Sequence, residues 1–228
     1  MNIFCIKISL CALILSFISW QCNSDVAQKK ETRTEERAAE AKQKPTKKTI
    51  LFFGNSLTAA YGLSPTQGFV SLIQHRLDSL ELPYRCVNAG LSGETTAGGL
   101  GRIDWVLNQH IDIFVLELGG NDALRGINPD DSHQNLQRII NKVKEKYPAA
   151  NIILAGMEAP PNMGAAFTKK FRENYSQLAK ENSVALIPFL LENVGGIRSL
   201  NQADGIHPNI EGNLIVTETV WKTLKNSL

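Results

Sequence analysis

Cysteine is nearly missing from the part of this chain that can fold. Of its four cysteines, Cys5, Cys11 and Cys22 fall in the first 22 residues, and only Cys86 lies beyond them. One thiol cannot form an internal disulfide, so the core must support itself by burial alone. In the strand-like run Tyr84-Arg85-Cys86-Val87-Asn88, Cys86 reads as a small buried hydrophobe. No His/Cys cluster has metal-ligand spacing, and no metal or organic cofactor is expected. The most apolar stretch, Ile8 to Trp20, has 13 residues, short of the ~20 that span a bilayer. Charge of one sign is not in excess either, with a net charge of +2. The positive surplus sits in residues 25–48, which hold eight Lys/Arg and five Asp/Glu. The remainder is slightly acidic, so no basic groove for a nucleic-acid backbone is implied. Internal repeats are absent, and nothing in the sequence sets an oligomeric state.

What is present falls into three parts. Residues 1–22 carry a short segment with Lys7 and then the apolar run, the layout of an export signal. Cys22 closes that run and resembles the lipid-attachment cysteine of bacterial lipoproteins, although Gln21 stands where a small residue is usual. The expectation is an exported protein anchored to a membrane through Cys22; an uncleaved anchor or a cleaved soluble export signal are the alternatives. Residues 23–48 are polar, charged and without an apolar stripe, so they are expected to form a disordered tether. Residues 49–228 are expected to fold. Strand-like runs at 50–53, 85–88, 111–116, 151–155 and 184–188 alternate with helix-like stretches at 67–80, 98–109, 132–146, 168–182 and 209–225. Most strand runs are continuously apolar, as in strands covered on both faces. The pattern predicts an α/β domain of three α/β/α layers around a doubly wound, five-stranded parallel sheet.

Two short blocks offer chemistry. Gly54-Asn55-Ser56-Leu57 follows the first apolar run, so a sharp turn there exposes Ser56 at the carboxyl edge of the sheet. Asp204-Gly205-Ile206-His207-Pro208 lies near the other end of the chain. Serine is a weak nucleophile until an imidazole takes its proton, and a carboxylate fixes that imidazole's tautomer. Ser56, His207 and Asp204 therefore form a candidate nucleophile, base and orienting acid. His75, His110 and His133 sit among polar neighbours and read as surface histidines. Pro208 stiffens the turn and can help open the last helix. A plain alternative for Ser56 is a helix N-cap, and for Asp204 a loop carboxylate accepting backbone hydrogen bonds.

Two more blocks follow the second and third runs: Asn88-Ala89-Gly90-Leu91-Ser92-Gly93-Glu94-Thr95-Thr96 and Leu116-Glu117-Leu118-Gly119-Gly120-Asn121-Asp122. All four blocks, in this order, resemble the GDSL or SGNH hydrolase family, and the spacing is similar to its periplasmic thioesterase/lysophospholipase and arylesterase members. The resemblance spans residues 50–228 and implies a flavodoxin-like SGNH hydrolase fold. It also implies an oxyanion hole built from the backbone N–H groups of Ser56 and Gly93 and the side-chain amide of Asn121. Gly119, Gly120 and Asp122 are expected to shape the loop. The family's eponymous Asp is Asn55 here, which leaves the triad intact but alters the support of the elbow. Residues 123–128 and 158–167 are expected to line an acyl pocket, with Ala123, Leu124, Pro160 and Pro161 as substrate-binding residues. Their small apolar character suits an acyl chain. The expected function is a cofactor-free serine esterase acting on small acyl esters, thioesters or lysophospholipids. A carbohydrate O-deacetylase on the same fold and a catalytically inactive binding lipoprotein remain the alternatives.

Overall fold

The computed structural model describes residues 46–228. The expected export signal, Cys22 and most of the tether lie outside them. Five strands, β1 (Lys48–Gly54), β2 (Tyr84–Gly90), β3 (Ile113–Glu117), β4 (Asn151–Ala155) and β5 (Ala185–Ile187), form one parallel sheet in the order β2-β1-β3-β4-β5. The helices are α1 (Phe69–Ser79), α2 (Thr96–Val106), α3 (Gly120–Leu124), α4 (Pro129–Lys146), α5 (Ala165–Asn182) and α6 (Ile210–Leu224). This is the predicted α/β/α architecture. β1 begins at Lys48, which pairs with Tyr84, one residue inside the stretch expected as tether.

β1 is buried along nearly its whole length because both faces are covered. Successive side chains point to opposite faces. Phe52 meets Phe69 of α1 edge-on at 5.8 Å, while Phe53 meets Phe114 of β3 at 5.7 Å and lies against Gly99 of α2. Each such buried ring contributes ~1.5–3 kcal/mol. α1 packs beside α6, and α2, α4 and α5 pack side by side.

The strand order reverses at β1. The chain moves outward from β1 to β2, then returns past β1 to β3. A crevice opens beyond the carboxyl ends of strands at such a reversal. The segment after β5 starts at the far edge of the sheet and travels back. It folds on itself through the Gln202 N–H donated to His207 O (2.8 Å) and the Asn201–Pro208 bridge. Asn213, in α6, accepts from the Phe69 N–H at 3.2 Å and so ties this return to α1. Residues distant in sequence are thereby carried to the end of β1.

Some boundaries differ from expectation for identifiable reasons. α4 opens at Pro129, not at residue 132, because Asn128 caps it by accepting from the Asp130 N–H and proline suits the first helical position. α5 opens at Ala165, directly after Gly164 with φ of 89°. Asn209 caps α6, accepting from the Gly212 N–H at 2.9 Å, and Pro208 stands just before that cap. The short α3 lies in a stretch expected to be loop.

Candidate active site

The site is built outward from the end of β1. At Gly54 a Cβ would sit 2.2 Å from Thr58 Oγ1 and 2.5 Å from Glu117 Oε2, so only glycine leaves room for these two side chains. Asn55 follows, 2% exposed. Its N–H donates to Glu117 Oε2 at 3.0 Å and its Nδ2 donates to Glu117 Oε1 at 2.7 Å. Its Oδ1 accepts from the Leu57 N–H at 2.9 Å. Thr58 Oγ1 adds a third donor to Glu117 at 2.8 Å. The turn is thus pinned from beneath, and Ser56 stands at its crest, 9% exposed.

His207 Nε2 lies 2.9 Å from Ser56 Oγ, and His207 Nδ1 lies 2.6 Å from Asp204 Oδ2. With the Nδ1 proton held by a carboxylate, Nε2 is left as the acceptor facing the hydroxyl. Asp204 Oδ1 accepts from the Ile206 and His207 N–H groups at 2.9 and 3.0 Å. Partial burial alone would raise the Asp204 carboxyl, but these two N–H groups and the imidazole outweigh it and hold it down at about 2. The orienting carboxylate is therefore ionised throughout the physiological range. The Tyr61 ring packs on the imidazole with centroids 4.6 Å apart, closing its outer face.

Gly93, in the loop after β2, has φ of 80°, which favours glycine, and its carbonyl accepts from Arg125 Nη2 at 2.9 Å. Asn121 stands in the first turn of α3. Its Nδ2 donates to Glu94 O at 3.0 Å, which fixes the orientation of the amide. Among the described residues, neither the Ser56 N–H nor the Gly93 N–H donates to another protein group. Asp122 is fully buried and accepts from Thr96 N–H (2.9 Å), Thr96 Oγ1 (2.5 Å) and Ser132 Oγ (3.0 Å). It joins α2, α3 and α4 and so fixes the position of Asn121. Glu94, itself buried, is held by Arg102 Nε at 2.5 Å, and Arg102 Nη2 also donates to Ala89 O at 2.7 Å. The loops after β2 and β3 are in this way locked to each other.

The residues named for an acyl pocket divide. Ala123 is 1% exposed and belongs to the hydrophobic core, because the single turn of α3 presents it inward. Leu124, the next residue, is 47% exposed. Pro160 is half-buried and Pro161 exposed, at the start of a short 3₁₀ turn. The two loops meet at Gly126, where Met163 Cε would lie 3.3 Å from an added Cβ.

Glu117 is a further residue of the site, and its sequence position alone does not announce it. It is 1% exposed, and burial pushes its carboxyl up to about 7 against the lowering effect of its hydrogen bonds from Thr58 and Asn55. The available signal was a lone acid closing the apolar run Ile113-Phe114-Val115-Leu116.

A hydroxyl, an imidazole and a carboxylate in series, at the carboxyl edge of an α/β/α sheet, define a serine hydrolase by class. Residues 52–215 match the model of the GDSL-like lipase/acylhydrolase family, and the chain belongs to that family. It is 42% identical over 184 residues to an esterase, TesA, of Pseudomonas aeruginosa, covering 80% of this chain and 90% of that one. It is 37% identical over 180 residues to thioesterase 1/protease 1/lysophospholipase L1 of Escherichia coli, covering 78% and 83%. A crystal structure of TesA superposes with a TM-score of 0.76 at 42% identity, over 79% of this chain and all of the other.

Proposed function

We propose that the protein hydrolyses small acyl esters, thioesters or lysophospholipids through an acyl-enzyme on Ser56. The observation that carries this reading is the continuous line from Asp204 through His207 to Ser56 Oγ, with contacts of 2.6 and 2.9 Å. Ser56 Oγ attacks the carbonyl carbon as its proton passes to His207 Nε2. The negative charge that develops on the carbonyl oxygen meets the N–H groups of Ser56 and Gly93 and the second hydrogen of Asn121 Nδ2. His207 then gives its proton to the leaving oxygen or sulfur, and the acyl group stays on Ser56. Water attacks next, His207 accepts its proton and returns it to Ser56 Oγ, and the free acid leaves. Leu124, Pro160 and Pro161 line the acyl side of the crevice, and Ala123 supports Leu124 from within the core.

The test is turnover of a panel of p-nitrophenyl esters of graded length, an acyl-CoA thioester, a lysophospholipid and an acetylated glycan, with Ser56→Ala as control. Hydrolysis of the first three types, reduced by several orders of magnitude in Ser56→Ala, is the expected result. Acetate release from the glycan alone would replace the reading with a carbohydrate deacetylase. Binding of acyl ligands without turnover would leave a binding protein.

The same proposal extends to location. No helix among the described residues is long and apolar enough to cross a membrane. Residues 1–22 act as the export signal, Cys22 carries the lipid and the residues from 23 up to the start of β1 at Lys48 form the tether that lifts the domain from the bilayer. Cys22→Ser should move the protein from the membrane to the soluble fraction. A mature N-terminus without diacylglyceryl mass would refute the anchor.

A further inference from the structure

We propose that Glu117, buried beneath the elbow, is a positioning residue for Ser56 that acts as an ionised carboxylate, and that the asparagine at position 55 is what lets it remain ionised next to the nucleophile. This rests on the ester-hydrolase reading of the site. Glu117 accepts from the Asn55 N–H, Asn55 Nδ2 and Thr58 Oγ1, and the Thr58 N–H also faces it. An amide side chain would turn a hydrogen toward Asn55 Nδ2 or the Asn55 N–H, and a protonated carboxyl would have to reverse the Thr58 hydroxyl, which then no longer donates. Asn55 cannot resolve that conflict by flipping, because its Oδ1 is already held by the Leu57 N–H. The backbone is shaped around the same carboxylate, since a Cβ at Gly54 would sit 2.5 Å from Glu117 Oε2. Residues on both sides of Ser56 are thus fixed by Glu117: Gly54 by close packing, Asn55 by two bonds and Thr58 by one. That arrangement aims the Ser56 N–H and Oγ together.

An aspartate at position 55 would change the chemistry. Two carboxylate oxygens would then face each other at the 2.7 Å now spanned by Asn55 Nδ2 and Glu117 Oε1, and such a pair retains one proton. Asparagine supplies the hydrogen itself, so no shared proton is needed. The ionisable groups packed around this pocket are Tyr175 from α5, Asp122 from α3, Arg102 from α2 and His207 across Ser56. None of them hydrogen-bonds to Glu117 among the described residues. The burial that pushes the Glu117 carboxyl up to about 7 makes its ionisation coincide with the working pH of an imidazole base.

The experiment is a double-mutant cycle on Asn55→Asp and Glu117→Gln, reading kcat, KM and pH dependence with a p-nitrophenyl ester. Glu117→Gln sets a new side-chain amide against Asn55 Nδ2, and kcat should fall by about 10- to 100-fold with KM little changed, the scale of one mismatched buried donor. Asn55→Asp alone should keep activity within about tenfold near neutrality and lose it at higher pH as the shared proton leaves. The combined variant reverses donor and acceptor. The amide introduced at position 117 can donate to the carboxylate introduced at position 55, while its oxygen still accepts from Thr58 and from the backbone N–H of position 55. This variant should recover most of the lost kcat. If Glu117→Gln does not fold, the high-pH loss in Asn55→Asp and the recovery in the combined variant still decide. Wild-type kcat in Glu117→Gln, or a loss that Asn55→Asp fails to relieve, overturns the proposal. An inactive wild type overturns the ester-hydrolase reading instead.

Discussion

Two carboxylates flank Ser56, and they are held in opposite ways. Asp204 accepts from two backbone N–H groups and an imidazole, and Glu117 from an amide, a hydroxyl and the N–H groups of the same two residues. The donor sets are of similar size. Yet Asp204 is held down at about 2 while Glu117 is pushed up to about 7. Solvent makes the difference. The Asp204 side chain is 35% exposed, so water still helps to stabilise its charge. Glu117 is sealed beneath the elbow and its donors must supply all the stabilisation. Hydrogen bonds orient both groups; access to water decides which one titrates where the enzyme works. In the proposed mechanism the outer carboxylate is a permanent charge beside the proton that moves. The inner one is hydrogen-bonded to both neighbours of the elbow serine's turn, Asn55 and Thr58, at the cost of burying a carboxyl.

Substitutions can break the comparison from either side. Asp204→Ala removes the tautomer control of His207 and should lower kcat by about 10⁴-fold, the loss seen when a triad imidazole presents the wrong nitrogen. Steady-state kinetics at neutral pH check it, and a variant within tenfold of wild type would show that the outer carboxylate is dispensable. Asn121→Ala removes one oxyanion donor and should lower kcat by ~10²–10³-fold with KM little changed. A loss mainly in KM would assign Asn121 to ground-state binding. The smallest effect concerns stability. In the unfolded chain Glu117 returns to its ordinary 4.5, while in the folded protein it holds its proton to about 7. The folded state binds more protons across that window, so its stability should fall as pH rises from 4.5 to 7, by about 3 kcal/mol in total. Glu117→Gln should lack this slope. Denaturant melts of both proteins at pH 4.5, 6 and 8 measure it, and parallel pH dependence would show that Glu117 is not the linked group.

The sequence made the frame legible where burial leaves a continuous apolar run. The segment from Ile50 to Phe53 reads as a strand covered on both faces, and it is one. The candidate site was legible because residue type and order place its five members at one sheet edge: Ser56 after the first strand, Gly93 after the second, Asn121 after the third, and Asp204 with His207 after the fifth. Glu117 was not legible. A glutamate that ends a strand ordinarily reads as the point where the chain meets water. Its burial depends on Gly54, Asn55 and Thr58, some 60 residues earlier in the chain. Ala123 failed for the opposite reason. Its neighbour Leu124 faces outward, and only the single turn of α3 shows that successive residues there point to different sides.

The central claim is that Ser56 is the group that becomes acylated. Labelling with a serine-directed fluorophosphonate, followed by peptide mass spectrometry, tests it most directly. One adduct is expected on Ser56, formed in the wild type, slowed in Asp204→Ala and absent from Ser56→Ala. Label on any other residue, or ester turnover by Ser56→Ala, would contradict it.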